Sequence, residues 1–152
     1  MSPASFRKVI DVNLTGSFLV AQAVANKMIS AHTGGSIVLT ASISGHYVNF
    51  PQPQVSYNVS KAGVLHMTRS LAAEWAQYGI RVNSISPGYM NTILNEGEGL
   101  AEGRRIWNEH CAFGRMGEPE ELTGAMVLLL SKVGGRYMTG EDICVDGGQT
   151  LS

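Results

Sequence analysis

Ser56-Tyr57-Asn58-Val59-Ser60-Lys61-Ala62-Gly63 opens a run in which Val64, Met67, Leu71 and Trp75 recur at helical spacing as far as Tyr78-Gly79. The spacing predicts a helix from Tyr57, with Gly79 as its C-terminal stop. Lys61 follows Tyr57 by four positions, one helical turn, so both side chains fall on one face. A phenol titrates near ~10 in water, and an ammonium about 4 Å away is worth roughly 1 to 4 kcal/mol in favour of the phenolate. Such a pair can move a proton near neutral pH. A Tyr/Lys pair at this spacing is also a common surface arrangement, so its neighbours decide what it means.

Those neighbours are strands. Residues 36–40, Ser-Ile-Val-Leu-Thr, read as a short buried strand after the Thr33-Gly34-Gly35 break. Residues 80–86 read as a second, parallel strand that ends at Pro87-Gly88, and Asp142-Ile143-Cys144-Val145-Asp146-Gly147-Gly148 as the closing strand. Strands alternating with helices predict an α/β fold around a parallel sheet. Ser2-Pro3 is an N-cap with proline at the first helical position, so a helix begins almost at residue 1, with Phe6, Ile10, Ser17, Val20, Val24 and Met28 as its apolar stripe. Asn13 falls on that stripe and should be hydrogen-bonded, because an unpaired amide there is costly. Pro119 opens a last helix over 120–130, whose Leu128-Leu129-Leu130 run demands burial.

The first of these strands delivers Ser42, in Leu39-Thr40-Ala41-Ser42-Ile43-Ser44-Gly45, to the carboxyl end of the sheet, where ligands bind in open α/β folds. Ser44 competes with it. The loop 46–55, with two prolines, two aromatics and several amides, reads equally as a pocket wall for a polar substrate or as a stiff connection. Residues 91–113 read as one or two helices covering a pocket, or as a solvated connector.

In order and spacing, Asn13 in Asp11-Val12-Asn13-Leu14-Thr15-Gly16, Ser42, Tyr57, Lys61 and the strand-end Pro87-Gly88 resemble the catalytic Asn, Ser, Tyr and Lys and the Pro-Gly of the short-chain dehydrogenase/reductase family. The Thr139-Gly140 and Asp146-Gly147-Gly148 letters resemble its C-terminal signature. The resemblance covers nearly all of the chain. It implies the C-terminal part of a Rossmann-like doubly wound parallel sheet, three of about seven strands. It implies catalytic roles for Asn13, Ser42, Tyr57 and Lys61, with Asn13 at a helix bend that holds a water linking to the lysine. It also implies nicotinamide contacts from Tyr57, Lys61, Gly88, Met90 and Thr92, with Gly88 letting the backbone approach the ligand. The cofactor would be NADP or NAD. The 46–55 loop is most similar to the polyol- and ketose-converting branch of mannitol, arabinitol and sorbose enzymes. Family members pair subunits through the first helix and the tyrosine helix, which makes a homo-oligomer the expectation.

A dinucleotide enzyme also needs a strand, a Gly-rich turn and a helix N-terminus for the pyrophosphate. None is present. Gly97-Glu98-Gly99-Leu100-Ala101-Glu102-Gly103 is nearest, but Glu102 stands at the third glycine position and no strand precedes it. The chain is therefore expected to be a single partial domain, 1–152, without the N-terminal fingerprint half.

The 152 residues suffice for one domain with a sizeable core and are too few for two. Hydrophobic residues make up 44% and charged residues 15%, with eleven basic and twelve acidic side chains, so no field recruits nucleic acid or anionic lipid. Small-molecule chemistry is the better default, and the family resemblance implies an alcohol/ketone pair as substrate. Cys111 and Cys144 are far apart and no apolar leader opens the chain, so neither disulfides nor secretion is expected, and a cytoplasmic location fits. The apolar run 125–130 is far below the ~18 residues a membrane span needs. Cys144 alternates with Ile143 and Val145, as a packed strand residue would. His32, His46 and His66 are isolated in sequence, and Glu109-His110-Cys111 point to different sides of a helix, so no metal is expected. Three functions remain: an NAD(P)-dependent oxidoreductase, a non-enzymatic subunit-interaction module, and a truncated, catalytically dead product.

Overall fold

The computed structural model describes residues 1–95 and 97–151. Three strands, β1 (Gly35–Thr40), β2 (Ile80–Pro87) and β3 (Asp142–Val145), form one parallel sheet in the order β1-β2-β3. Gly35 pairs with Ile80 at one end, and Ser84 and Ser86 stand opposite Asp142 and Cys144 at the other. The α/β reading therefore holds, with β1 and β2 within a residue of the bounds expected and β3 ending at Val145, ahead of Asp146-Gly147-Gly148.

The chain starts as expected. Ser2 Oγ accepts the Ser5 N–H at 3.1 Å and Pro3 opens helix α1 (Pro3–Ile10). One π-helical turn, Asp11–Thr15, joins it to α2 (Gly16–Ser30). Such a turn carries an extra residue and kinks the helix, and Asn13 lies inside it. The buried face of α2 differs from the expected stripe. Ala21 and Ala25 are buried, whereas Val20 and Val24 are 66% and 40% exposed. The helix is apolar on two sides, and periodicity alone does not say which side meets β1.

Ala21 and Ala25 pack with Ile37, Leu39 and Val82 of the sheet and with Val64, Leu71 and Ala72 of α3 (Val55–Trp75). Helix α3 begins two residues before the expected start and gives way to a 3-10 turn, Ala76–Tyr78, ahead of Gly79. Between β1 and α3 lies another 3-10 turn, Ile43–Gly45, seated on the helix. A Cβ on Gly45 would lie 2.9 Å from Ala62 N and from the Lys61 carbonyl carbon, and backbone cannot move aside as a side chain can. Gly45→Ala is expected to cost about 1–3 kcal/mol, the usual range for overpacking. A urea denaturation midpoint equal to wild type would show that the turn tolerates the methyl.

Of the segment 91–113, Glu96 lies outside the described residues. The rest forms short 3-10 turns and helix α4 (Ala101–Glu109), whose Trp107 is fully buried, so this segment packs as a cover rather than a solvated connector. The last helix begins as a 3-10 turn, Pro119–Leu122, and continues as α5 (Thr123–Leu130). Only Leu129 of its leucine run is buried; Leu128 and Leu130 are exposed, because one side of α5 meets β1 and β2. Arg81 donates to the Leu129 and Ser131 carbonyls at the end of α5, where a cation suits the helix dipole. Among the described residues no helix is long and apolar enough to cross a membrane.

Candidate active site

The carboxyl ends of β1 and β2 open into a cleft of about 230 Å³. Ser42, Tyr57, Gly88 and Thr92 line it, so four of the expected site residues converge there. Ser42 leaves β1 in extended backbone and caps the turn that follows: its Oγ accepts the Ser44 N–H at 3.2 Å. Ser44 also borders the cleft, but its Oγ accepts Gln54 Nε2 at 3.2 Å.

Tyr57 comes from the first turn of α3. Lys61 lies one turn on, its Nζ 5.5 Å from the centre of the tyrosine ring and donating to the Thr40 carbonyl at 2.9 Å. Burial lowers the Lys61 ammonium from its usual value. Lys61 and Asn13 line a neighbouring open cleft between α2 and β1, so the four expected catalytic residues stand at two adjacent openings joined by the Tyr57–Lys61 contact.

Asn13 bonds otherwise than to backbone alone. Its Nδ2 donates to Ser60 Oγ at 3.1 Å, and Ser60 Oγ donates to the Tyr57 carbonyl at 2.7 Å. The carbonyl of Asn13 accepts the Ser17 hydroxyl at 2.7 Å. The π-helical turn is thus tied to the turn of α3 that presents Tyr57. Ser60 was not singled out in the sequence, although its place between Tyr57 and Lys61 was the available signal.

Met90 stands apart. It lines a separate hollow with Phe113, Arg115, Gly117, Val145 and Asp146, and its carbonyl accepts Asn95 Nδ2 at 2.8 Å. Gly88 borders the cleft, but what its missing Cβ clears is the chain itself: a Cβ there would lie 2.8 Å from Asp146 Cα. Asp146 in turn accepts the Gly148 and Thr150 N–H groups and the Thr150 hydroxyl. Burial acts against its charge, yet these donors hold its carboxyl below the usual range. The Asp-Gly-Gly letters therefore close a turn under the Pro87-Gly88 end of β2.

The loop 46–54 is a wall of the cleft. Asn49, Gln52 and Gln54 line it. Gln52 Oε1 accepts both Tyr89 Oη at 3.1 Å and Trp107 Nε1 at 3.2 Å, and the Tyr89 and Trp107 rings stack 4.1 Å apart. Burial pushes the Tyr89 phenol up, which keeps its proton for that bond. The lining is polar, with amides from Asn49, Gln52, Gln54 and Asn95.

Two expectations need correction. Cys144 is exposed rather than packed. His46 is isolated in sequence only: its Nε2 lies 2.9 Å from Asp142 Oδ2 and 3.1 Å from Ser86 Oγ. Both partners address one ring nitrogen, whereas a Ser-His-Asp relay needs one on each. None of the three lines the Tyr57 cleft.

The family model described as enoyl-(acyl carrier protein) reductase matches residues 1–150. A short-chain type dehydrogenase/reductase from Mycobacterium marinum superposes on the whole chain with a TM-score of 0.94 at 47% identity. The chain belongs to the short-chain dehydrogenase/reductase family. It covers 59% of that M. marinum structure. The D-arabinitol 2-dehydrogenase [ribulose-forming] of Scheffersomyces stipitis is 46% identical over 142 residues, 92% of this chain and 51% of the relative. The NADP-dependent mannitol dehydrogenase of Hypocrea jecorina is 47% identical over 152 residues, 98% of this chain and 54% of the relative. The chain thus spans about half the length of the curated relatives it matches. The C-terminal part of a short-chain dehydrogenase/reductase is the fold that the sheet order and helices describe.

Proposed function

We propose that these residues form the proton-transfer and substrate-holding part of an NAD(P)-dependent oxidoreductase that interconverts a sugar alcohol and its ketose. The observation that carries the reading is the convergence of Ser42 and Tyr57 in a cleft walled by amide side chains, with the Lys61 ammonium behind the tyrosine ring. Amides that both donate and accept suit a substrate bearing several hydroxyls. The names of the arabinitol and mannitol relatives support that substrate class.

In this reading a bound nicotinamide cofactor supplies or accepts the hydride. Gly88 and Thr92, beside Tyr57, fit its nicotinamide end, while the pyrophosphate end finds no Gly-rich turn in this sequence. Ser42 Oγ donates to the carbonyl oxygen and aligns it with the phenol. Tyr57 Oη gives that oxygen its proton in reduction and takes it back in oxidation, and Lys61 offsets the negative charge left on the phenol oxygen. Asn13 and Ser60 hold this turn of α3 in place. Met90 is retained as a cofactor contact through its backbone.

The test joins residues 1–152 to the N-terminal half of the H. jecorina mannitol dehydrogenase and assays the chimera on D-arabinitol, mannitol, sorbose and their partners with both cofactors. Cofactor-dependent turnover of a polyol or ketose is expected. Lys61→Met in the chimera is expected to weaken cofactor binding and slow turnover together, each by about 10- to 10³-fold, the equivalent of an ammonium worth roughly 1 to 4 kcal/mol. A folded, cofactor-binding chimera with no activity on any of these would overturn the substrate class.

A second reading, a module that joins longer subunits without turnover, draws on the exposed apolar residues Val12, Val20 and Val24. Co-purification of residues 1–152 with an intact relative, in the absence of any chimera activity, would favour it.

A further inference from the structure

Outside the Tyr57 cleft, the fold gathers three side chains of three donor types. Asp142 and Cys144 lie two apart on β3 and so project from the same face of the sheet, opposite Ser84 and Ser86. His46, at the end of the 3-10 turn that carries Ser42, reaches the same spot. His46 Nε2 is 2.9 Å from Asp142 Oδ2 and 3.7 Å from Cys144 Sγ, and Cys144 Sγ is 3.8 Å from Asp142 Oδ2. All three donor atoms lie within 4.8 Å of one another.

Hydrogen bonds account for each of these distances pair by pair, including two weak ones of the thiol. A tetrahedral cation accounts for all three. Zinc bonds of about 2.0–2.1 Å to nitrogen, 2.0–2.2 Å to oxygen and 2.3 Å to sulfur set ligand separations of about 3.4 Å for N to O and about 3.6 Å for the pairs with sulfur. The observed edges of 2.9, 3.7 and 3.8 Å lie within about 0.5 Å of that, the N–O edge being the short one. The surroundings support it. Ser84 Oγ, fully buried, donates to Asp142 Oδ1 at 2.6 Å and leaves Oδ2 turned to the histidine and the thiol, the kind of outer bond that orients a ligating carboxylate. His46 and Cys144 are exposed, so the site is open to solvent.

We propose that His46, Asp142 and Cys144 form a metal site for a zinc-class divalent cation, with water in the fourth position. Imidazole, carboxylate and thiolate together favour such a cation over magnesium or calcium, which take oxygen ligands. On binding, the S–H bond of Cys144 breaks, its proton goes to solvent and an S–metal bond forms. The imidazole ligates through Nε2 in the tautomer protonated on Nδ1, and nothing is oxidised or reduced. The metal would tie the start of the 46–54 loop, which walls the active-site cleft, to the outer strand of the sheet.

The test uses the purified 152-residue chain, reduced and stripped with chelator, then titrated with Co2+ and back-titrated with Zn2+ or Mg2+. One equivalent of Co2+ is expected to give tetrahedral d–d bands and a thiolate-to-cobalt charge-transfer band, displaced by Zn2+ and untouched by Mg2+. Cys144→Ser, a one-atom change at an exposed position, is expected to abolish the charge-transfer band, and Cys111→Ser to keep it. Ser84→Ala is expected to weaken the affinity by about 10- to 100-fold. Zn2+ should raise the melting temperature of the wild-type chain and leave that of Cys144→Ser unchanged. A charge-transfer band that survives in Cys144→Ser, binding without any such band, or equal competition by Mg2+ would each overturn the proposal.

Discussion

Tyr57→Phe, in a form of the protein that binds nicotinamide cofactor, is expected to lower turnover by about 10²- to 10⁴-fold, the usual contribution of a positioned acid-base group. The change removes one oxygen and keeps the ring that lies 5.5 Å from Lys61 Nζ, so the helix turn and the Ser60 bond to its carbonyl should persist. Cofactor affinity should change little. Steady-state rates beside a cofactor dissociation constant separate the two effects. Activity near wild type would remove Tyr57 from the chemistry, and loss of binding together with rate would make its role structural.

Residues 1–152 by themselves are expected to take up neither NADH nor NADPH at micromolar concentration and to self-associate. The grip on a pyrophosphate comes from backbone amides at a helix N-terminus behind a Gly-rich turn, and this sequence has no such turn. Among the described residues, β1 pairs only with β2, so its other edge offers free backbone groups. Beside that edge an open cleft of about 530 Å³ is lined by Val12, Val20 and Val38, with Val12 and Val20 65% and 66% exposed. Calorimetric titration and light scattering on the purified chain provide the check. A monomer that binds cofactor at micromolar concentration would show that this part of the fold suffices.

The strands and helices were readable because each is written locally. Ser-Ile-Val-Leu-Thr can only be a short strand, and the capped Ser2-Pro3 start needs no tertiary partner to be recognised. Asn13, Ser42, Tyr57 and Lys61 were readable through their resemblance to the family's motif residues, and the fold sets them at two adjoining clefts. What stayed hidden depends on contacts between distant parts of the chain. Which face of α2 is buried follows from where β1 lies, and the π-helical turn resets the helical phase just ahead of it. The role of Gly88 as clearance for Asp146 needs β3 in place. His46 meets Asp142 across 96 positions, and no local period announces that.

The bond from Trp107 to Gln52 gives the cleft an optical side. The chain has two tryptophans, and Trp107 is enclosed, stacked on Tyr89, and joined through its indole N–H to a residue of the cleft wall. The other, Trp75, ends α3 and packs against the main core. The emission of one indole therefore answers to the state of the amide wall, while the other reports on the body of the fold. Replacing Trp75 by Phe would leave a chain whose single emitter sits directly behind the substrate-facing loop, a label already placed by the sequence.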